Sequence, residues 1–555
     1  MGPGKGNESM RHSRSYFLAG SCALFCACGP MEESVDPPTT DSDSELELSQ
    51  DLNNAPQCTG PRFVADLAPG TGSTNLLDSA EVDGVVYMSI VYGPSLDTYY
   101  LWKLEEKSGG QDLHSGWKAT LLLGNLSDAP KRMTVVGSKV FFILDDGIHG
   151  SELWKTDGTP GGTRLVEDIN PFGSAFSDNP LNPVAVGKTL YFAADDGTHG
   201  TELWRSDGTT GGTRLVKDIF PGLPSSSPGQ PLLDGKRLLF AADDGSKGRE
   251  LWKSDGTSGG TRRVRDIFPG AMGSSPDQLF RLEDGTVFFV ADDGTHGREL
   301  WTTDGTKEDT ELVEDIRAGS AGSDIAWLTS GKKKLYFTAN DGVHGSELWT
   351  SMGCEDDTRL VKDIRPGAMG SAPNELVPLK GNVILFADDA THGREPWRSN
   401  GTTAGTLMLA DTHPTSPPSG YGPTSLVAGK NKVFFYATTP DTGKEPWVTD
   451  GTPSGTRLIK DLRPGPEPSI SGDPFPPFVV GGGATFPYYN EAVGVELVWT
   501  DGTASGTRVA DINPGPDSSS PVAFRATHDW VYLVASDGIH NSEPWALSVG
   551  CFPKN

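Results

Sequence analysis

Leu190-Tyr191-Phe192-Ala193-Ala194-Asp195-Asp196-Gly197-Thr198-His199-Gly200-Thr201-Glu202-Leu203-Trp204-Arg205-Ser206-Asp207-Gly208-Thr209 holds two strands and two turns in twenty residues. An apolar run ends at Asp-Asp-Gly, and a second run begins at Glu-Leu-Trp. Asp207-Gly208 then marks another tight turn, where glycine supplies the positive φ that hairpins need. Thr213 to Ile219 alternates apolar and polar residues, as a half-exposed strand does. Pro221-Gly222 and a Ser-rich stretch to Pro228 form a loop that leads into Leu238-Leu239-Phe240. Three clear strands and one short one make the content of a propeller blade.

The unit recurs. Asp-Gly of the second turn begins at 157, 207, 255, 304, 450 and 501, with degenerate copies at Met352-Gly353 and Asn400-Gly401. Successive steps are 50, 48, 49, 48, 48, 50 and 51 residues. Weaker units at Leu101-Trp102-Lys103 and Glu543-Pro544-Trp545 flank the series. The count predicts about ten four-stranded blades in an all-β propeller over residues 58–555. Two smaller rings are the alternative, although no linker divides the series. One unit is irregular: in Glu496-Leu497-Val498-Trp499 the tryptophan has moved by one place. Side chains alternate faces along a strand, so Trp499 should point the other way or sit on a bulge.

The ends predict how the ring closes. Aligning Trp545 with Trp204 places Cys551 on Thr210. Aligning residues 61–67 with Thr213 to Ile219 places Cys58 on the same Thr210. The last unit lacks an outer strand, residues 61–67 can supply it, and Cys58 and Cys551 meet at the missing hairpin. A Cys58–Cys551 disulfide fits an oxidising compartment.

The N-terminus reads as an export signal over residues 1–27. Lys5, Arg11 and Arg14 precede an apolar stretch from Ser15 to Ala27, shorter than the ~20 residues that span a bilayer. Ala27-Cys28 resembles a lipobox, making Cys28 the expected lipidation site and residues 28–57 an acidic flexible tether. Gly29, rather than aspartate, follows the cysteine. The expected location is the outer membrane or cell surface, with plain secretion as the alternative. Membrane contact is then through the lipid anchor alone. The formal net charge of −28 disfavours nucleic acid and anionic lipid as partners.

Glu152-Leu-Trp-Lys-Thr-Asp-Gly-Thr159, with its copies at 202–209, 250–257 and 299–306, resembles the ELWxxDGT repeat family of exported bacterial proteins. The resemblance covers roughly residues 60–549. It implies a propeller lipoprotein of the myxobacterial type and brings no catalytic residues with it.

The first turn repeats as Asp-Asp-Gly-x-His-Gly-x-Glu. Asp195, Asp196, His199 and Glu202, and likewise Asp292, Asp293, His296 and Glu299, are candidate ligands for a cation such as calcium. The competing reading has the aspartates accepting backbone hydrogen bonds and the histidines packing. No other cofactor is expected. An enzyme needs one copy of each catalytic group, so its site should break the repeat. The segments 90–115, 436–444 and 484–495 depart most, and no catalytic residues are assigned in them. Tyr488 and Tyr489 are candidate contacts to a sugar or a partner. The leading expectation is a monomeric, surface-tethered binding or scaffold protein for protein or polysaccharide. A carbohydrate-active hydrolase or lyase is the alternative. Breaks that converge on the central channel would favour the enzyme, and breaks over the rim would favour adhesion.

Overall fold

The computed structural model describes residues 58–552 apart from 59, 68–73, 93–96, 108–115, 178–181, 415–421 and 471–474. The chain divides into two units, Met1–Gln50 and Asp51–Asn555, and every described residue belongs to the second. The expected signal, Cys28 and the expected tether therefore lie outside the described residues.

Ten four-stranded antiparallel sheets follow one another along the chain. They are numbered here as blades 1 to 10, with each blade's first strand innermost. In blade 3 the strands are Val184–Val186, Thr189–Asp195, Thr201–Ser206 and Arg214–Lys217, paired in that order. The apolar clusters sit between blades rather than within them. Trp204 packs back onto Phe141, Ile143 and Val166 of blade 2, while Leu203 packs forward onto Leu238 and Phe240 of blade 4. Alternation along one strand thus glues a sheet to both neighbours, and ten such interfaces close the ring.

Blade 10 and blade 1 share a cluster that includes Val64, Leu67, Met88, Ile90 and Tyr532. This contact excludes two separate smaller rings. Arg62–Phe63 supplies the fourth strand of blade 10, with Arg62 opposite Ala546 and Phe63 opposite Trp545. The paired span is shorter than residues 61–67, because Val64 N–H makes one further bond to the Pro544 carbonyl and the chain then turns away. Cys58 and Cys551 form the expected disulfide, with their Cα atoms 4.5 Å apart.

Trp499 does point the other way. It packs with Leu497 onto Val531 and Leu533 of blade 10, while Val498 faces back toward Tyr436 of blade 8. Four regular units carry a register shift between Leu and Trp, as at Leu203/Trp204, and blade 9 pairs without one. The Glu496 carboxylate meets its backbone partner 16 residues on, at Ile512, whereas Glu202 reaches 17 residues to Ile219. Leu497 and Val498 keep the sides of Leu203 and Trp204, so Trp499, one place further along the strand, changes sides.

Candidate functional site

The recurring glutamate of each Glu-Leu-Trp is the fastening of the blade. Glu202 accepts hydrogen bonds from the N–H groups of Ile219, Phe220 and Ser226 and from the Ser226 hydroxyl. Glu250 takes the same four donors from Ile267, Phe268 and Ser274. Each carboxyl ties its third strand to the chain that leaves the fourth strand and enters the next blade. Nine such glutamates, from Glu152 to Glu543, are at most 1% exposed. At the seam Glu543 accepts the Leu67 N–H at 2.8 Å, so the N-terminal strand completes the same fastening. Burial pushes the carboxyls of Glu152, Glu299, Glu395 and Glu445 up to about 7.

The turn residues proposed as cation ligands have other partners. Asp195 accepts the Gly197 N–H at 2.7 Å. Asp196 accepts the N–H groups of Thr198 and His199 on one oxygen, and its other oxygen pairs with His199 Nδ1 at 2.7 Å. Asp292, Asp293 and His296 repeat this arrangement, and Glu299 is buried against Ile316 and Ser323. The structure therefore brings Asp and His together within each turn and directs the glutamate away from them. Among the described residues, no group of three or more His, Cys, Asp or Glu is arranged to hold a metal ion. The turn histidines His149, His199, His296, His344, His392 and His540 each have a raised pKa, chiefly from the hydrogen bond to the turn aspartate.

The turn between second and third strands and the loop from one blade to the next share one end of the ring. Ser151, which opens a third strand, accepts the Ala175 N–H from such a loop. The turns after Thr439 and Asn490, in two of the three irregular segments, fall at this end. The innermost strands vary there too. A register shift places Arg132, Gln278, Trp327, Glu375 and Ser425 at equivalent left-handed positions, with φ between 50° and 67°. Arg132 donates to the Asn182 side-chain oxygen of blade 3, and Gln278 donates to the Ile325 carbonyl of blade 6. Trp327 remains 49% exposed.

Between neighbouring blades, beside these inner strands, lie notches at one repeated address. The residue just before the fastening glutamate forms one wall, and the next blade's incoming inner strand forms the other. Between blades 4 and 5 the notch holds about 510 Å³ and is lined by Gln230, Arg249, Asp277, Gln278 and Arg298 among others. Between blades 9 and 10 it holds about 210 Å³, lined by Phe475, Pro487, Tyr488, Tyr489, Val495 and Pro521. Ala241 and Pro487 occupy matching places, opposite Leu251 and Leu497.

The structure separates the two candidate tyrosines. Tyr488 is 5% exposed, packs with Tyr436 and Phe486, and has its hydroxyl pushed up to about 12 by burial. Tyr489 is half-buried, with the Arg463 guanidinium 5.2 Å from its ring centre. Arg463 is held in turn by Glu491. Arg249 and Arg298 were not singled out from the sequence, although Arg-Glu-Leu-Trp at 249–252 and 298–301 and Arg-Glu-Pro-Trp at 394–397 display the departure.

Neither a family model nor a curated protein matches the chain. Among solved structures it is similar to a puromycin hydrolase at 14% identity and a TM-score of 0.32, covering 65% of this chain and 58% of that one. It is similar to a Mycobacterium tuberculosis puromycin-hydrolyzing peptidase at 13% identity and a TM-score of 0.31, covering 78% and 62%. It is also similar to PorZ, a surface component of the Porphyromonas gingivalis type-IX secretion system, at 11% identity and a TM-score of 0.29, covering 85% and 73%. The chain spans less than two thirds of the length of these two peptidases. At such identity and superposition the likenesses carry nothing about activity.

Proposed function

We propose that this chain is a binding protein of the ELWxxDGT repeat kind, exported and held at the outer membrane or cell surface through Cys28. Its propeller captures polysaccharide or protein at one end of the ring. The observation that supports this is the contrast between fastening and lining. The buried glutamate and its donors recur from blade to blade, while the inter-blade notches above them range from Arg, Asp and Gln to Tyr, Phe and Pro. Repeated residues hold the frame, and the varied ones are placed to discriminate among ligands.

A glycan array and a pull-down with the full chain test the reading. Saturable binding that is lost on substituting notch residues supports it. No ligand on either assay, together with hydrolysis or elimination of a cell-wall polysaccharide, would replace it with the carbohydrate-active enzyme. One observation favours that second reading: the varied positions gather beside the inner strands rather than on the outer ones. Radiolabelled palmitate incorporation that disappears in Cys28→Ser tests the anchor.

A further inference from the structure

Three blades carry arginine immediately before the fastening glutamate, and they treat it differently. In blade 5, Arg298 meets Asp277 of its own inner strand at 2.6 Å. In blade 7, Arg394 meets Asn374 at 2.6 Å and Glu375 at 3.6 Å, again on its own inner strand. In blade 4 the position equivalent to Asp277 and Asn374 is Gly229. A Cβ at Gly229 would lie 2.8 Å from Arg249 Nη2, so the guanidinium occupies the space that a partner side chain fills elsewhere.

Arg249 is thereby left without its carboxylate. Its Nη1 donates to the Ser227 carbonyl. Asp243 lies opposite it in the hairpin, but an oxygen of Asp243 accepts the Gly245 N–H, and no ion pair to Arg249 forms among the described residues. Burial lowers its pKa from the ordinary arginine value. Arg249 is a half-buried cation with spare donors that faces a 510 Å³ opening, a local exception on a protein whose net charge of −28 otherwise disfavours anions. Its planar fork matches a carboxylate in bidentate geometry. Gln230 and Gln278 border the same opening and commit their amide nitrogens to the Asn182 and Ile325 carbonyls. Their side-chain oxygens remain acceptors for hydroxyl groups.

We infer that the notch between blades 4 and 5 binds the carboxylate of a uronate-bearing polysaccharide, with Arg249 as its anchor. The inference rests on the binding function proposed above and names its ligand class. Arg249 takes from the ligand the carboxylate that no side chain of blade 4 supplies, and the two glutamines accept from sugar hydroxyls.

The test measures binding of polygalacturonate oligomers and their carboxyl-reduced counterparts to the full chain, alongside Arg249→Gln and Gly229→Asp. Gly229→Asp installs the partner that blade 5 already has, at a residue whose φ is not in the left-handed region. Both variants should keep the parent melting temperature and lose about 30-fold or more in uronate affinity. The carboxyl-reduced oligomer should bind the parent protein as weakly as the uronate binds Arg249→Gln. Equal binding of acidic and reduced oligomers overturns the inference, as does unchanged affinity in folded Gly229→Asp. Binding of acidic peptides through Arg249 without binding of uronates assigns the notch to a peptide carboxylate and overturns it too. Capture of neutral glycans alone removes this inference and leaves the binding function standing. Capture of nothing removes both.

Discussion

The notch between blades 4 and 5 and the notch between blades 9 and 10 have the same address and opposite chemistry. Each lies above a buried glutamate that accepts a serine hydroxyl, Ser274 in one and Ser519 in the other. Yet Arg249 stands where Val495 stands, and Asp277 where Val522 stands. The difference teaches that this fold separates the positions that fasten a blade from those that face the opening. The fastening carboxyls sit below the surface and satisfy backbone donors, so the glutamate recurs even where its hydroxyl donor changes, as at Thr412 beside Glu395. Side chains at the opening satisfy nothing essential and are free to differ.

If the two notches share one frame, removing the fastening should cost both about equally. Glu250→Ala removes the acceptor of four buried donors, and Glu496→Ala that of three, two of which also reach the Val495 carbonyl. Each substitution is expected to destabilise by roughly 3–5 kcal/mol, read by chemical denaturation. A loss below about 1 kcal/mol in either would show that the frames differ.

The second test uses the seam. Blade 10 forms one wall of the aromatic notch, and its outer strand is held by Cys58–Cys551. Cys58→Ser should lower stability by about 2–4 kcal/mol under non-reducing conditions. It should loosen the aromatic notch and leave the Arg249 notch intact, as read by site-resolved hydrogen exchange.

A smaller effect is expected at the aromatic opening itself. Tyr489→Ala should weaken any neutral-glycan ligand about tenfold and change uronate binding by no more than roughly twofold. Equal losses for both ligands would mean that the notches act as one surface.

The last test is the pH dependence, which belongs to the whole ring rather than to either notch. Four fastening glutamates are raised from 4.5 to about 7, so their stabilisation is full below 4.5 and is lost as pH rises through 7. The turn histidines, also raised, lose theirs as pH rises above their ordinary 6.5. Both changes run the same way, and the melting temperature at pH 5 should exceed that at pH 8. A flat profile would mean that the donors around each glutamate hold it ionised at no cost.

Much of this was legible in the residues. The 48–51-residue spacing gave the blade count, because each unit carries its own turn glycines and its own gap-filling tryptophan. The placement of Cys58 and Cys551 gave the seam, because two ends of one interrupted hairpin must meet. The moved Trp499 gave its own change of face, because strand side chains alternate. Tertiary structure decided what the polar residues do. Glu202 reads in sequence as one more oxygen beside Asp195 and Asp196, yet its partners are backbone groups 17 to 24 residues away. Arg249 and Arg298 read as the same residue in the same motif. Only the inner strand beside each, glycine in one blade and aspartate in the next, leaves one guanidinium paired and the other open. Local patterning fixes the period and the faces, because it acts through neighbours along the chain. The pairing of a charge depends on residues brought close by the fold, and here a single missing Cβ makes the difference.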